Sequence, residues 1–148
     1  MRVVVPLDGS PLAETALPYA VELATKLSLE LDLVRVIDTG GPYTALLDDA
    51  KFVEALPEIK EEASGYLREV TARLAKQGLD AHPRVLEGSP AREVVDFARD
   101  TAQDMVVITS HGRSGFTRWR LGSVAETLVR ASGDPVLIIP SRQSAEDE

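Results

Sequence analysis

Residues 109–123, Thr-Ser-His-Gly-Arg-Ser-Gly-Phe-Thr-Arg-Trp-Arg-Leu-Gly-Ser, combine several features that suit an anionic ligand. Gly112, Gly115 and Gly122 permit close approach of backbone to ligand. Arg113, Arg118 and Arg120 add positive charge, and no acid lies between Ser110 and Ala125. Ser123 and Glu126 have capping-box spacing, which predicts a helix start with Ser123 as its cap. The free N–H groups and positive dipole end of such a start favour phosphate. The apolar run Met-Val-Val-Ile at 105–108 precedes this stretch, so it reads as a loop from a strand end to a helix. In a chain of net charge −8, this local reversal of sign points to an anionic ligand.

The elements that must position this loop are legible from periodicity. Val3, Val4, Val5, Pro6 and Leu7 form a β-branched run ended by Asp8-Gly9-Ser10. Ser10 predicts an N-cap with Pro11 at the first helical position. Apolar residues from Ala13 to Leu27 repeat at helical spacing, and one helix is expected to continue through Pro18 with a kink. Residues 29–37 read as a second strand, and the segment 38–49, with Gly40-Gly41-Pro42, reads as a loop. Phe52 to Leu74 mark a long helix, with Pro57 as its start or a bend and Gly78 as its stop. Residues 81–87 form a weaker strand, and Pro83 places it at a sheet edge. A third helix opens at Gly88-Ser89-Pro90, the fourth strand covers 105–108, the last helix covers 123–132, and a fifth strand covers 136–139. Strands alternating with helices imply one α/β domain with a parallel sheet and helices on both faces. The wholly apolar runs starting at Val3, Met105 and Val136 fit strands buried on both faces. In such a sheet, ligands bind at the carboxyl ends of strands where the winding reverses. Pro6 to Ser10, Val36-Ile37-Asp38 and the loop from Thr109 are the candidate walls.

Taken in order, these motifs resemble the universal stress protein family over almost the whole chain. The resemblance rests on Pro6-Leu7-Asp8-Gly9-Ser10, Val36-Ile37-Asp38, Glu87-Gly88-Ser89-Pro90, the Ser-His-Gly-Arg-Ser-Gly loop, Leu-Gly-Ser-Val-Ala-Glu at 121–126 and Pro-Val-Leu-Ile-Ile-Pro at 135–140. It implies an open, doubly wound, Rossmann-like five-stranded parallel sheet of order 3-2-1-4-5. It also implies a homodimer paired through the last strand, Val136–Ile139. The family's nucleotide-binding pattern is Gly-x2-Gly-x9-Gly-Ser/Thr. Gly112, nine residues and then Gly122-Ser123 match its second half, while Thr109 replaces the first glycine. A threonine stiffens that position but keeps the N–H and adds a hydroxyl. The resemblance implies an ATP site, or one for another adenine nucleotide, with Mg²⁺. In it Asp8 holds ribose or a metal beside the phosphates, and Val36 meets adenine through its backbone. Gly112, Gly122 and Ser123 hold phosphates, and Pro6, Leu7 and Thr109 line the pocket. Arg113 and Gly115 belong to the same ligand-binding loop by charge and backbone freedom.

Composition narrows the function classes. The 148 residues suit one domain, 1–140, and an acidic tail, 141–148, expected to be disordered. With 44% apolar residues a sizeable aliphatic core is possible. No cysteine is present, which excludes disulfides and thiolate metal sites. The acidic balance argues against nucleic-acid and anionic-membrane partners. No apolar run reaches the roughly 20 residues of a membrane helix. The first residues enter a strand without a signal peptide, so a cytoplasmic location is expected. There is no P-loop and no G-x-G-x-x-G after the first strand, and His111 has no readable catalytic partner. The expected function is a nucleotide-responsive regulator in stress response with at most slow ATP hydrolysis. A dimeric interaction module that binds no nucleotide and a slow adenine-nucleotide hydrolase stand as alternatives. The choice among ATP, ADP, AMP and cyclic AMP stays open at this level.

Overall fold

The structure is a computed structural model that describes residues 1–40, 48–99, 104–110 and 122–140. In chain order the elements are β1 (Arg2–Pro6), α1 (Pro11–Glu14), α2 (Leu17–Leu27), β2 (Glu30–Asp38) and α3 (Asp49–Ala75). They continue with β3 (Ala81–Gly88), α4 (Pro90–Arg99), β4 (Met105–Thr109), α5 (Ser123–Ala131) and β5 (Val136–Ile139). The five strands form one sheet of order β3-β2-β1-β4-β5, and every pairing is parallel. This is the open doubly wound architecture expected from the sequence.

Side-chain alternation divides the core between the two faces. Val3 and Val5 of β1 join Leu31 and Leu33 of β2 under α2 and α3, with Ala20, Leu67 and Val70. Val4, Val34 and Val106 point the other way and pack with Val94, Val95 and Ala98 of α4 and Leu128 of α5. Val3, Val4 and Val5 are fully buried, so β1 is the centre of both cores. Helix α1 is tied to α3 by Glu14, whose carboxylate accepts from Tyr66 Oη (2.9 Å) and Arg73 Nη2 (2.5 Å). Burial, together with that carboxylate, raises the Tyr66 pKa and keeps the phenol protonated as donor.

Three local expectations are corrected. The first helix is two: α1 ends at Glu14 and α2 begins at Leu17. Pro18 therefore sits in the first turn of α2, where its missing N–H has no intrahelical acceptor to lose, and the chain breaks instead of kinking. Helix α5 has Gly122, not Ser123, as its N-cap, with no side-chain cap, so the predicted capping box does not form. Gly122 is extended (φ −59°, ψ 156°), and its carbonyl already accepts from Glu126 N (2.9 Å). Strand β5 is at the edge, as the expected order requires, but it is not buried on both faces, and Leu137 is 37% exposed. Pro57, by contrast, neither starts nor ends α3, which runs from the cap Asp48, whose carboxylate accepts from Lys51 N (2.8 Å). The acidic residues Glu58, Glu61, Glu62 and Glu69 lie on its solvated face, as their sequence suggests.

The amino-terminal edge of the sheet is held by an arginine between two buried carboxylates. Arg2 donates through Nε (3.0 Å) and Nη2 (2.5 Å) to Asp104 and through Nη1 (2.8 Å) to Asp32. Asp104 is 0% and Asp32 1% exposed. The guanidinium also lies 4.7 Å over the Phe97 ring, and His82 Nδ1 is 3.2 Å from the second Asp32 oxygen. The hydrogen bond to Asp104, with the charges of both carboxylates, raises the Arg2 pKa. This cluster joins β1, β2, α4 and the entry to β4. Removing Arg2 leaves two carboxylates without their cation, a loss of about 3–5 kcal/mol for a buried pair. The exposed pair Lys26–Glu22 is screened by solvent and contributes little. Urea unfolding should therefore show Arg2→Ala destabilised by about 3 kcal/mol, with Lys26→Ala indistinguishable from the parent. Equal effects of the two substitutions would contradict this role for the cluster.

Candidate functional site

At the opposite, carboxyl edge the sheet changes winding direction. From β1 the chain passes to β2 on one side, and β4 pairs with β1 on the other. The loops leaving β1 and β4 cannot cross there, and a cleft of about 290 Å³ opens between them. Pro6, Leu7 and Asp8 form one wall, and Thr109 and Ser110 form the facing wall. Gly122, Ser123, Val124 and Ala125 close it on the α5 side, and Asp38 and Pro90 stand at the ends of β2 and the start of α4.

Each wall is fixed by local chemistry. Asp8 Oδ1 accepts from Ser10 N (2.9 Å) and Ser10 Oγ (2.5 Å), and Ser10 Oγ accepts from Ala13 N (3.2 Å). This relay turns the chain sharply out of β1, and Gly9 supplies the positive φ (86°) that the turn needs. Across the cleft, Ser110 N donates to Ile139 O (2.9 Å), and Gly122 N donates back to Ser110 O (2.5 Å). The two ends of the 110–122 connection are thereby clamped together beside β1. Beyond the clamp, Glu126 N is the first amide of α5 to find its partner at Gly122 O. The N–H groups of Ser123, Val124 and Ala125 precede it and have no intrahelical acceptor. All three residues line the cleft.

The residues read from the sequence divide into three groups. Pro6, Leu7, Asp8, Thr109, Gly122 and Ser123 are brought together in the cleft. Val36 is in β2, its side chain packed against the core under α4 and α5, and it does not line the cleft. Gly112, Arg113 and Gly115 lie outside the described residues, as do Arg118, Arg120, Trp119 and His111. Thr109 is 4% exposed at the end of β4, so the residue that replaces the family's first glycine is an inner wall of the cleft. Val124 and Ala125 line the cleft without having been read as site residues, and Asp38, Ser110 and Pro90 line it from segments read as candidate walls or motifs but given no role of their own. Val124 and Ala125 had no signal to find, because they contribute backbone amides and their side-chain types are incidental. Asp38 did have one: an acid ending a strand beside the first strand.

The electrostatics of the cleft are mixed. The start of α5 favours negative charge. Asp8 and Asp38 oppose it. A phosphate held at the start of α5 in the same cleft as Asp8 calls for positive charge between the two, from a cation or from basic side chains. Among the described residues no group of three or more His, Cys, Asp or Glu is placed to hold a metal by itself. Magnesium does not need such a cage: one carboxylate, phosphate oxygens and water suffice, and Asp8, partly exposed at the cleft wall, fits that requirement.

Comparison with known proteins agrees with this architecture. Residues 1–140 match the universal stress protein family. A universal stress protein of Methanocaldococcus jannaschii is 31% identical over 138 residues, covering 93% of this chain and 81% of that protein. The solved structure of a hypothetical protein from the same organism superposes with a TM-score of 0.83 at 27% identity, covering 97% of each chain. A universal stress protein solved in complex with cAMP superposes with a TM-score of 0.71 at 24% identity, covering 96% of this chain and 98% of that one. With the fold, the ordered motifs and the match over residues 1–140 in agreement, the chain belongs to the universal stress protein family.

Proposed function

We propose that this protein binds ATP with Mg²⁺ in the cleft between β1 and β4 and acts as a nucleotide-responsive regulator in stress response, with at most slow hydrolysis. The observation that carries the reading is the start of α5. Three first-turn residues whose N–H groups have no intrahelical acceptor line a cleft at the switch point of the sheet, behind a glycine cap that adds no side chain. Such an arrangement favours an anion by geometry and by dipole. A universal stress protein of the same fold was solved in complex with cAMP, which supports the reading.

In this reading the amides of Ser123 to Ala125 and the Ser123 hydroxyl hold phosphate oxygens. Gly112, Arg113 and Gly115 add backbone and charge from the same loop. Asp8 holds the cation that bridges to the phosphates. Pro6, Leu7 and Thr109 shape the wall, and Val36 offers its backbone to the base. The open edge β5, with Leu137 exposed, pairs with a second copy to form a homodimer, because an uncovered apolar edge is an aggregation hazard. Nucleotide occupancy then biases that dimer or a partner surface through its differential affinity for two states. The second reading, a dimeric module that binds no nucleotide, draws on Thr109, which fills space where the family's binding members have glycine.

The Gly122 backbone conformation is open to any residue, so a substitution there tests space in the cleft rather than folding. Gly122→Val should weaken ATP binding at least about 100-fold, about 2.7 kcal/mol, in equilibrium dialysis, with an unchanged circular dichroism spectrum. Retained affinity would remove α5 from the site. For Asp8→Ala, the gain in ATP affinity on adding Mg²⁺ should shrink by about tenfold, while affinity in EDTA should be equal to or better than the parent's. A variant that keeps the full Mg²⁺ gain would show that Asp8 does not hold the cation.

A further inference from the structure

We infer that Asp38 reads the ribose hydroxyls of the bound nucleotide, so that the cleft selects ribonucleotides over their deoxy counterparts. The inference rests on the nucleotide reading above and deepens it. Asp8 and Asp38 are the two carboxylates that line the cleft among the described residues, and their positions are not equivalent. In the pairing of β1 with β2, Pro6 is level with Val34. Pro6 is the last paired residue of β1 and the chain turns out of the strand at Asp8, whereas β2 stays paired with β3 through Asp38, four residues past Val34, so Asp38 stands about 13 Å further along the strand direction than the end of β1. On its other side β1 pairs with β4, whose end at Ser110 receives the Gly122 clamp. Asp8 lines the cleft together with Ser110 and the start of α5. Asp38 is two strand spacings from β4, about 9.6 Å, and higher.

That displacement sorts the chemistry. An ionised carboxylate only accepts hydrogen bonds, and so do phosphate oxygens. Asp38 has no productive contact with a phosphate, and at its distance from α5 no shared cation is required. A ribose carries two adjacent hydroxyl donors, which match the acceptors of one carboxylate. The side chain is also held in advance. Its Oδ1 accepts from Gly40 N (3.0 Å), and the next residue, Thr39, donates from N to Gly88 O (3.2 Å), pinning the end of β2 to the end of β3. Alternation along β2 puts Val34, Val36 and Asp38 on one face, the face covered by α4 and α5. In doubly wound sheets that bind dinucleotides, an acid further along the chain from the glycine-rich turn meets the ribose 2′-hydroxyl. Asp38, on the strand beside β1, can serve the same purpose without the G-x-G-x-x-G turn. With the ribose assigned to Asp38, Asp8 is left to the cation.

The test measures dissociation constants for ATP, 2′-deoxy-ATP and 3′-deoxy-ATP with the parent protein, Asp38→Ala and Asp38→Asn. Asp38 is exposed, and retained circular dichroism spectra will show that both variants fold. The parent should bind ATP about tenfold more tightly than at least one deoxy analogue, the scale of one hydrogen bond to a charged group. Asp38→Ala should weaken ATP by a similar factor, leave that analogue unchanged and so erase the preference, and Asp38→Asn should fall between. A parent that binds ATP and both deoxy analogues equally would overturn the inference and leave the nucleotide reading standing. So would an Asp38→Ala variant that keeps the preference. A parent that binds no ATP would overturn both.

Discussion

A strand covered on both faces can carry polar side chains only at its ends, and β1 imposes that rule on the whole molecule. Val3, Val4 and Val5 are fully buried between two helical layers. The charged residues of this strand and its continuation are Arg2 at one end and Asp8 beyond the other. The two edges of the sheet consequently have different tasks. At the amino edge, Arg2 draws Asp32 and Asp104 into a buried ionic cluster that ties together four segments of the chain. At the carboxyl edge, the same strand ends in a turn built on Asp8 and Ser10 and opens toward the start of α5. Stability chemistry and ligand chemistry are separated by the length of a strand.

The carboxyl edge is a balance of opposing fields rather than a simple basic pocket. A helix start with three uncommitted amides attracts negative charge, and two carboxylates in the same cleft repel it. A ligand with an anionic group at one end and hydrogen-bond donors at the other would satisfy both, and a nucleotide has that division of polarity. Thr109, buried at the end of β4, lines the same cleft.

Much of this was legible in the residues, and the failures have physical causes. The apolar residues of β2 and the β-branched or apolar runs of β1 and β4 gave strands within a residue or two of those observed, because burial restricts such segments strongly. The edge position of β3 followed from Pro83. Periodicity alone could not show that α1 and α2 are separate, because the apolar stripe continues across the break while Pro18 needs a first turn. Ser123 and Glu126 have the right spacing for a capping box, but the clamp from Gly122 to Ser110 starts the helix one residue earlier. The Arg2 cluster was invisible because its partners lie 30 and 102 residues away. Within the cleft, Pro6, Leu7, Asp8, Thr109, Gly122 and Ser123 were readable from motif order. The amides of Val124 and Ala125 were not, since any residue type supplies them.

The most direct test of the account is to record ¹⁵N–¹H correlation spectra while ATP and Mg²⁺ are added to the uniformly labelled protein. The account predicts saturable shifts concentrated on the amides of Asp8, Ser110, Ser123, Val124 and Ala125, with the amino edge around Arg2, Asp32 and His82 undisturbed. Shifts centred on that amino edge, or a spectrum unchanged at millimolar ATP, would contradict it.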